Sequence, residues 1–172
     1  MTRSLAFTKG HGTENDFVLV ADLDGALTLT DAEVALLADR RAGLGGDGVI
    51  RVLPTEAASE QHVRDQAGTA RWFMDYRNAD GSAAELCGNG TRVFAAYLRR
   101  EGLETAEEFT IATRAGAKTV RVEGDLYAVD LGPWHLTDPE TAERDGFDSL
   151  VHIDGHEPFS ALSVVLGYPH PV

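Results

Sequence analysis

Apolar positions along the first 131 residues switch between a period of two and a period near 3.6. Residues 4–9 and 17–22 read as strands joined by the polar turn 10–16. Thr30 and Glu33 have capping-box spacing, and Val34, Leu37 and Ala38 share a face. Together they predict a helix running to Arg41 and closed by Gly43. Gly43–Gly48 reads as a loop, mobile or approached by a ligand, and residues 49–53 as a strand. Residues 56–68 are polar and read as a surface loop with some helical character. Residues 71–77 alternate, placing Trp72, Met74 and Tyr76 on one face of a strand. Val93, Phe94, Tyr97 and Leu98 predict a helix from Asn89 to about Arg100. Strands at 109–113, 118–122 and 127–131 follow, with turns at 114–116 and 124–125. Gly132-Pro-Trp-His reads as a boundary, followed by a polar, acidic stretch over 137–149 and strands at 151–153 and 160–166. The expectation is an α+β fold in two parts, 1–131 and 132–172.

Composition narrows the function classes. The chain has 172 residues, enough for one domain or two small lobes. Its hydrophobic fraction of 43% and charged fraction of 25% are ordinary for a globular protein. A net charge of −13 argues against nucleic acid and against anionic membrane surfaces as partners. No positively charged segment followed by an apolar run marks a signal peptide, and no apolar stretch approaches a membrane span. A single cysteine rules out an internal disulfide and fits a reducing, cytoplasmic setting.

That cysteine is the most informative residue. Cys87 sits in Cys-Gly-Asn-Gly, between a turn-forming segment and the predicted helix. The unpaired N–H groups at a helix N-terminus create a positive field that favours a thiolate and can also hold a carboxylate. Gly88 and Gly90 let a ligand approach the backbone. A lone cysteine is more often a buried small hydrophobe, but two glycines and an asparagine contribute almost no apolar area. The segment suits proton removal beside a carboxylate, or nucleophilic attack.

Other constellations carry less. His152 and His156 lack further placed ligands, so a solvated loop outweighs a metal site. Gly43–Gly48 follows a helix rather than a strand, against a dinucleotide site. Asp80, in Asp-Gly, reads as a turn former, and Glu85 as a helix-start charge. Neither Lys9 nor Lys118 has the apolar setting of a Schiff-base lysine.

Four segments resemble the diaminopimelate epimerases, in order and in spacing. They are Lys9-Gly-His-Gly-Thr-Glu-Asn-Asp-Phe17, Arg40-Arg-Ala-Gly-Leu-Gly-Gly-Asp-Gly48, Tyr76-Arg-Asn-Ala-Asp-Gly-Ser-Ala-Ala-Glu-Leu-Cys-Gly-Asn-Gly-Thr-Arg92 and Leu166-Gly-Tyr-Pro-His170. The third is highly specific. The resemblance implies a lobe in which a mixed, barrel-like β-sheet wraps a central helix, with a second lobe incomplete here. On this reading residues 1–131 are the N-terminal epimerase lobe carrying the catalytic cysteine, and 132–172 begin a truncated C-terminal lobe. It implies a cytoplasmic isomerase of lysine biosynthesis that uses neither pyridoxal phosphate nor any other cofactor or metal. By position, Cys87 matches one of two catalytic cysteines and His170 the histidine that adjusts the thiol. Asn15, Asn78, Gly88 and Asn89 match substrate-binding positions. Tyr168 stands where the family has a substrate-binding asparagine.

The implied reaction interconverts LL- and meso-diaminopimelate, taking a proton from one face of the α-carbon and delivering one to the other. One thiol serves one face, so the chain is expected to be a truncated, inactive form. Its expected partner is the small-molecule substrate, with a homodimer left open. The competing readings are a proline racemase-like isomerase and a non-catalytic binding lobe.

Overall fold

Seven strands form one sheet whose order follows the chain: β1 (Thr8–Gly12), β2 (Asn15–Ala21), β3 (Gly48–Pro54), β4 (Trp72–Asn78), β5 (Glu108–Ala112), β6 (Lys118–Glu123) and β7 (Leu126–Val129). The structure is a computed structural model and describes residues 4–166. Pairing is antiparallel except at β2–β3 and β4–β5, which run parallel. Parallel neighbours need a crossover, and each crossover carries helix. The β2–β3 connection holds α1 (Asp31–Ala38). The β3–β4 connection holds a 3-10 turn (Thr55–Ala57) and the short α2 (Gln61–Arg64). The β4–β5 connection holds α3 (Gly88–Arg100).

The two long helices lie on opposite faces of the sheet. α1 covers Val18, Val20 and Val49 through Val34 and Ala38. α3 covers Phe17, Leu19, Ile50, Val52, Met74 and Ile111 with Val93, Phe94, Ala95 and Leu98. α3 also touches both β1 and β7, the two edges of the sheet. The sheet therefore curls around α3 as a half-barrel, in the mixed α+β manner expected. Trp72, Met74 and Tyr76 all point to the α3 side, while Phe73 packs with Ala58, Val63 and Ala70 opposite.

Several boundaries differ from the sequence reading, each for a local reason. The first hairpin is longer and later than expected: its ladder runs to the Gly12–Asn15 pair, and the turn is only Thr13-Glu14. Both turn residues have positive φ, 55° and 66°, the backbone that matches the twist of a two-residue hairpin. The Thr30–Glu33 capping box is present in both directions. α1 stops at Ala38 rather than Arg41 because Asp39 turns extended and its side chain accepts the N–H groups of Arg41 and Ala42, both at 2.7 Å.

The chain divides into two compact units, Met1–Asp130 and Leu131–Val172. The second holds β8 (Trp134–Leu136), α4 (Pro139–Asp145), β9 (Ser149–Val151), β10 (Phe159–Ala161) and β11 (Val164–Leu166). Two antiparallel pairs form, β8 with β11 and β9 with β10. The single strand expected over 160–166 is thus two strands serving different partners. α4 replaces the expected polar stretch: Asp138 accepts the Thr141 N–H at 3.0 Å, Pro139 opens the helix and Gly146 closes it with φ 79°.

Phe94 is wholly buried between α3 and the sheet, whereas Thr30 caps an exposed helix end. Phe94→Ala is expected to lower the unfolding free energy by about 3–5 kcal/mol, and Thr30→Ala by about 1 kcal/mol. Urea denaturation followed by circular dichroism measures both. Equal losses would contradict the placement of α3 at the centre of the core.

Candidate active site

The N-terminus of α3 is held where three strands end or begin. Register across the sheet lines up Phe17 of β2, Gly48 of β3 and Asn78 of β4 in one row. Gly90, in the first turn of α3, is buried against this end of the sheet: a Cβ there would stand 3.4 Å from Ile50 Cδ1 and 3.5 Å from Phe17 Cζ. A Cβ on Gly12 would stand 2.9 Å from the Asn89 carbonyl oxygen. Only glycine lets the β1–β2 hairpin come this close to the helix start. The segment leading into the helix is pinned from behind. Arg114, itself nearly buried, donates to the carbonyl oxygens of Tyr76 (2.9 Å) and Ala84 (3.4 Å) and pairs with Asp75 and Glu60.

Cys87 is the N-cap residue of α3, in extended conformation. Its sulfur accepts the Gly90 N–H at 3.4 Å, and its thiol lies 3.6 Å from Asn15 Oδ1. The side chain is partly buried and packs against the α3 core on one flank, so it has an apolar side and a polar side. The Cys87 carbonyl accepts both the N–H and the hydroxyl of Thr91, at 2.8 and 2.9 Å. These bonds fix the cap.

Polar groups line up on the other flank. Asn89 Nδ2 donates to Asn15 Oδ1 at 3.3 Å, and Asn89 Oδ1 accepts from Arg92. Arg92 also donates to Thr13 Oγ1 at 2.8 Å, tying the strained turn to the helix. Asn15 Nδ2 donates to Asp47 Oδ2 at 2.6 Å. Asp47 pairs with Arg40 at 2.9 Å, and Arg40 and Lys9 both pair with Asp16, at 2.6 and 2.9 Å. The Arg40 guanidinium, with Lys9 beside it, holds the Asp16 carboxyl well below the usual carboxylate range. Donation from Asn15 does the same to Asp47.

Tyr76 completes the row. Its hydroxyl donates to Asn78 Oδ1 at 3.1 Å, and its ring meets Phe17 edge-on at 5.7 Å. Burial, chiefly, with the Asp47 carboxylate nearby, pushes its hydroxyl up to about 12, so it remains a donor at neutral pH.

Of the residues singled out in the sequence, Cys87, Gly88, Asn89 and Asn15 meet at the start of α3. Asn78 lies at the same end of the sheet, one strand beyond Gly48, and bonds to Tyr76 and Ser82. His170 and Tyr168 lie outside the described residues. Among the described residues no three His, Cys, Asp or Glu side chains gather as a metal site, and no helix is long and apolar enough to cross a membrane. Sequence spacing does not single out Asp47, Arg40, Tyr76 or Arg92 as site residues. All four lie within the quoted motifs, but nothing in their spacing says which side chains they touch.

A family model described as diaminopimelate epimerase matches residues 7–137. Curated relatives of that name include one from Thermobifida fusca, 50% identical over 96% of this chain and 58% of its own length. Another, from Streptomyces coelicolor, is 47% identical over 100% of this chain and 56% of its own length. The chain thus spans somewhat more than half the length of the curated relatives it matches. Among solved structures, a Bacillus anthracis phenazine biosynthesis protein of the PhzF family shares the fold, with TM-score 0.53 and 25% identity over 77% of this chain and 42% of its own.

The Asp16 cluster sets an acid limit on the hairpin. A carboxyl whose folded value is depressed contributes stability above its unfolded value, near 3.9, and that contribution is lost as pH falls toward the folded value. The wild-type chain is therefore expected to lose stability relative to Asp16→Asn as pH drops from about 5 to about 2. Urea midpoints across that range test it. Parallel profiles for the two proteins would contradict the cluster's role.

Proposed function

The chain belongs to the diaminopimelate epimerase family, and on that premise we propose that the α3 N-terminus moves a proton at the α-carbon of diaminopimelate, in the cytoplasm and on the route to lysine. The observation that supports this most is the setting of Cys87: a thiol at a helix N-cap, flanked by backbone N–H groups and two asparagine amides. The N–H groups of the first turn suit the substrate's α-carboxylate. Asn89, Asn15 and Asn78 supply amides to the rest of the amino-acid end. Residues 1–131 are read as the N-terminal epimerase lobe, and residues 132–172 as the start of a second lobe.

The chemistry follows from charge. As a thiolate, Cys87 takes the α-proton and becomes a thiol, leaving the electron pair on the α-carbon beside the carboxylate. Delivery of a proton to the opposite face, from a second group, inverts the centre. Return of a solvent-exchanged proton from Cys87 restores the original configuration. These 172 residues contain one cysteine, so they serve one face by thiol chemistry. No cofactor is needed, since the proton carriers are side chains.

Two results are expected when the 172-residue chain is incubated with LL-diaminopimelate in deuterated water. Deuterium enters the α-position with configuration retained, and Cys87→Ala lowers that rate by at least about 10²-fold, the scale of a general base. Mass spectrometry with chiral separation reads both. Absence of any Cys87-dependent incorporation would contradict the proposal. Formation of the meso isomer that depends on Cys87 would contradict the one-face argument.

A further inference from the structure

We propose that Asp47 is a positioning residue: it fixes which end of the Asn15 amide faces the Cys87 sulfur, and so sets the thiol's resting form. The inference rests on reading Cys87 as the proton carrier. An ionised carboxylate only accepts hydrogen bonds. Asp47 Oδ2 stands 2.6 Å from Asn15 Nδ2 and takes the Asp16 N–H at 3.0 Å, while Oδ1 takes Arg40 at 2.9 Å. The Asp47 N–H in turn donates to the Asp16 carbonyl at 2.8 Å, so the carboxylate is anchored on its backbone as well. An Asn15 oxygen turned toward Asp47 would set two acceptors against each other. The NH₂ end must face Asp47, and the oxygen is left toward Cys87 (3.6 Å) and Asn89 Nδ2 (3.3 Å).

The same logic runs from the far end. Arg92 is donor-only and holds Asn89 Oδ1, so Asn89 presents its NH₂ to Asn15. An anion at one end and a cation at the other thus polarise two amides in a single direction. The consequence falls on the sulfur. Asn15 Oδ1 accepts from an S–H and repels an S⁻, whereas the Gly90 N–H at 3.4 Å favours S⁻. The sulfur sits between one partner suited to each form, as a group that must both take and give a proton requires. The other charged or titratable neighbours of this cluster are Lys9 on β1, Asp16 on β2, Tyr76 on β4 and Arg92 on α3. None is altered in the variants below.

Alkylation of Cys87 by iodoacetamide tests this without substrate, so it stands or falls apart from the epimerase reading. Rates are measured at pH 7 and on the high-pH plateau, where every thiol is ionised. Asp47→Ala removes the short, charged contact that holds the Asn15 NH₂ and leaves only the longer Asn89 bond, 3.3 Å, to oppose turning that NH₂ toward the sulfur. The rate at pH 7 is expected to rise about threefold to tenfold, the worth of one hydrogen bond, with the plateau unchanged. Asn15→Leu removes the oxygen and should give a similar rise. In the Asn15→Leu background, Asp47→Ala should add nothing. A further rise there would mean that Asp47 acts by its charge alone, and a raised plateau would mean simple loosening; either overturns the proposal. If Asp47→Ala does not fold, Asn15→Leu alone decides, and a pH 7 rate that stays level or falls overturns it.

Discussion

Gly90 marks the contact on which the rest depends. There the first turn of α3 lies over Ile50 and Phe17, at a spacing where a Cβ would make ordinary van der Waals contact, 3.4 Å from Ile50 Cδ1 and 3.5 Å from Phe17 Cζ. That contact seats a helix whose Val93, Phe94, Ala95 and Leu98 fill the hollow of the sheet. Because α3 touches both edge strands, the sheet curls, and its ends at β2, β3 and β4 gather around the helix start. Packing of this kind leaves little freedom in the position of Cys87. The cap residue is placed by the core beneath it, and the core is worth many times any single polar contact.

The polar flank is held by a different means. Thr13 and Glu14 occupy left-handed backbone, which costs roughly 1–3 kcal/mol per residue. Such a turn persists only when its surroundings determine it. Arg92 bonding Thr13, and Lys9 and Arg40 bonding Asp16 on the strand just beyond, provide that determination. The result carries Asn15 to the Cys87 sulfur. Charge pairing at the protein surface is usually weak, but here it sets geometry rather than stability. An amide has two unlike ends, and one fixed carboxylate is enough to choose between them.

Much of this was legible in the residues. The Thr30–Glu33 spacing, the alternation at Trp72, Met74 and Tyr76, and the helical spacing of Val93, Phe94 and Leu98 are local signals with local causes. Each reappears in the structure. The first hairpin lies later than its apolar pattern predicts because no Asn-Gly or Asp-Gly pair marks its turn; Thr13-Glu14 adopts positive φ under tertiary constraint. α1 is shorter than its apolar face predicts because Asp39 ends it from within a run of helix formers. α4 is not legible from periodicity, although Asp138, Pro139 and Gly146 mark both its ends, since a helix with only Ala142 buried shows little apolar pattern. At the site, the Cys-Gly-Asn-Gly segment announced itself. The bond between Asn15 and Asp47 joins residues 32 apart, and no spacing rule connects a hairpin to a loop behind another helix.

The central claim is that a substrate's α-carbon is presented to the Cys87 sulfur at the start of α3. A crystal structure of the chain with meso-diaminopimelate tests it most directly. The account predicts an α-carboxylate on the N–H groups of the first turn and an α-carbon within about 3.5 Å of Cys87 Sγ, with Asn15 and Asn89 contacting the same amino-acid end. Ligand bound at another surface, or bound here with its α-carbon turned away from the sulfur, would contradict it.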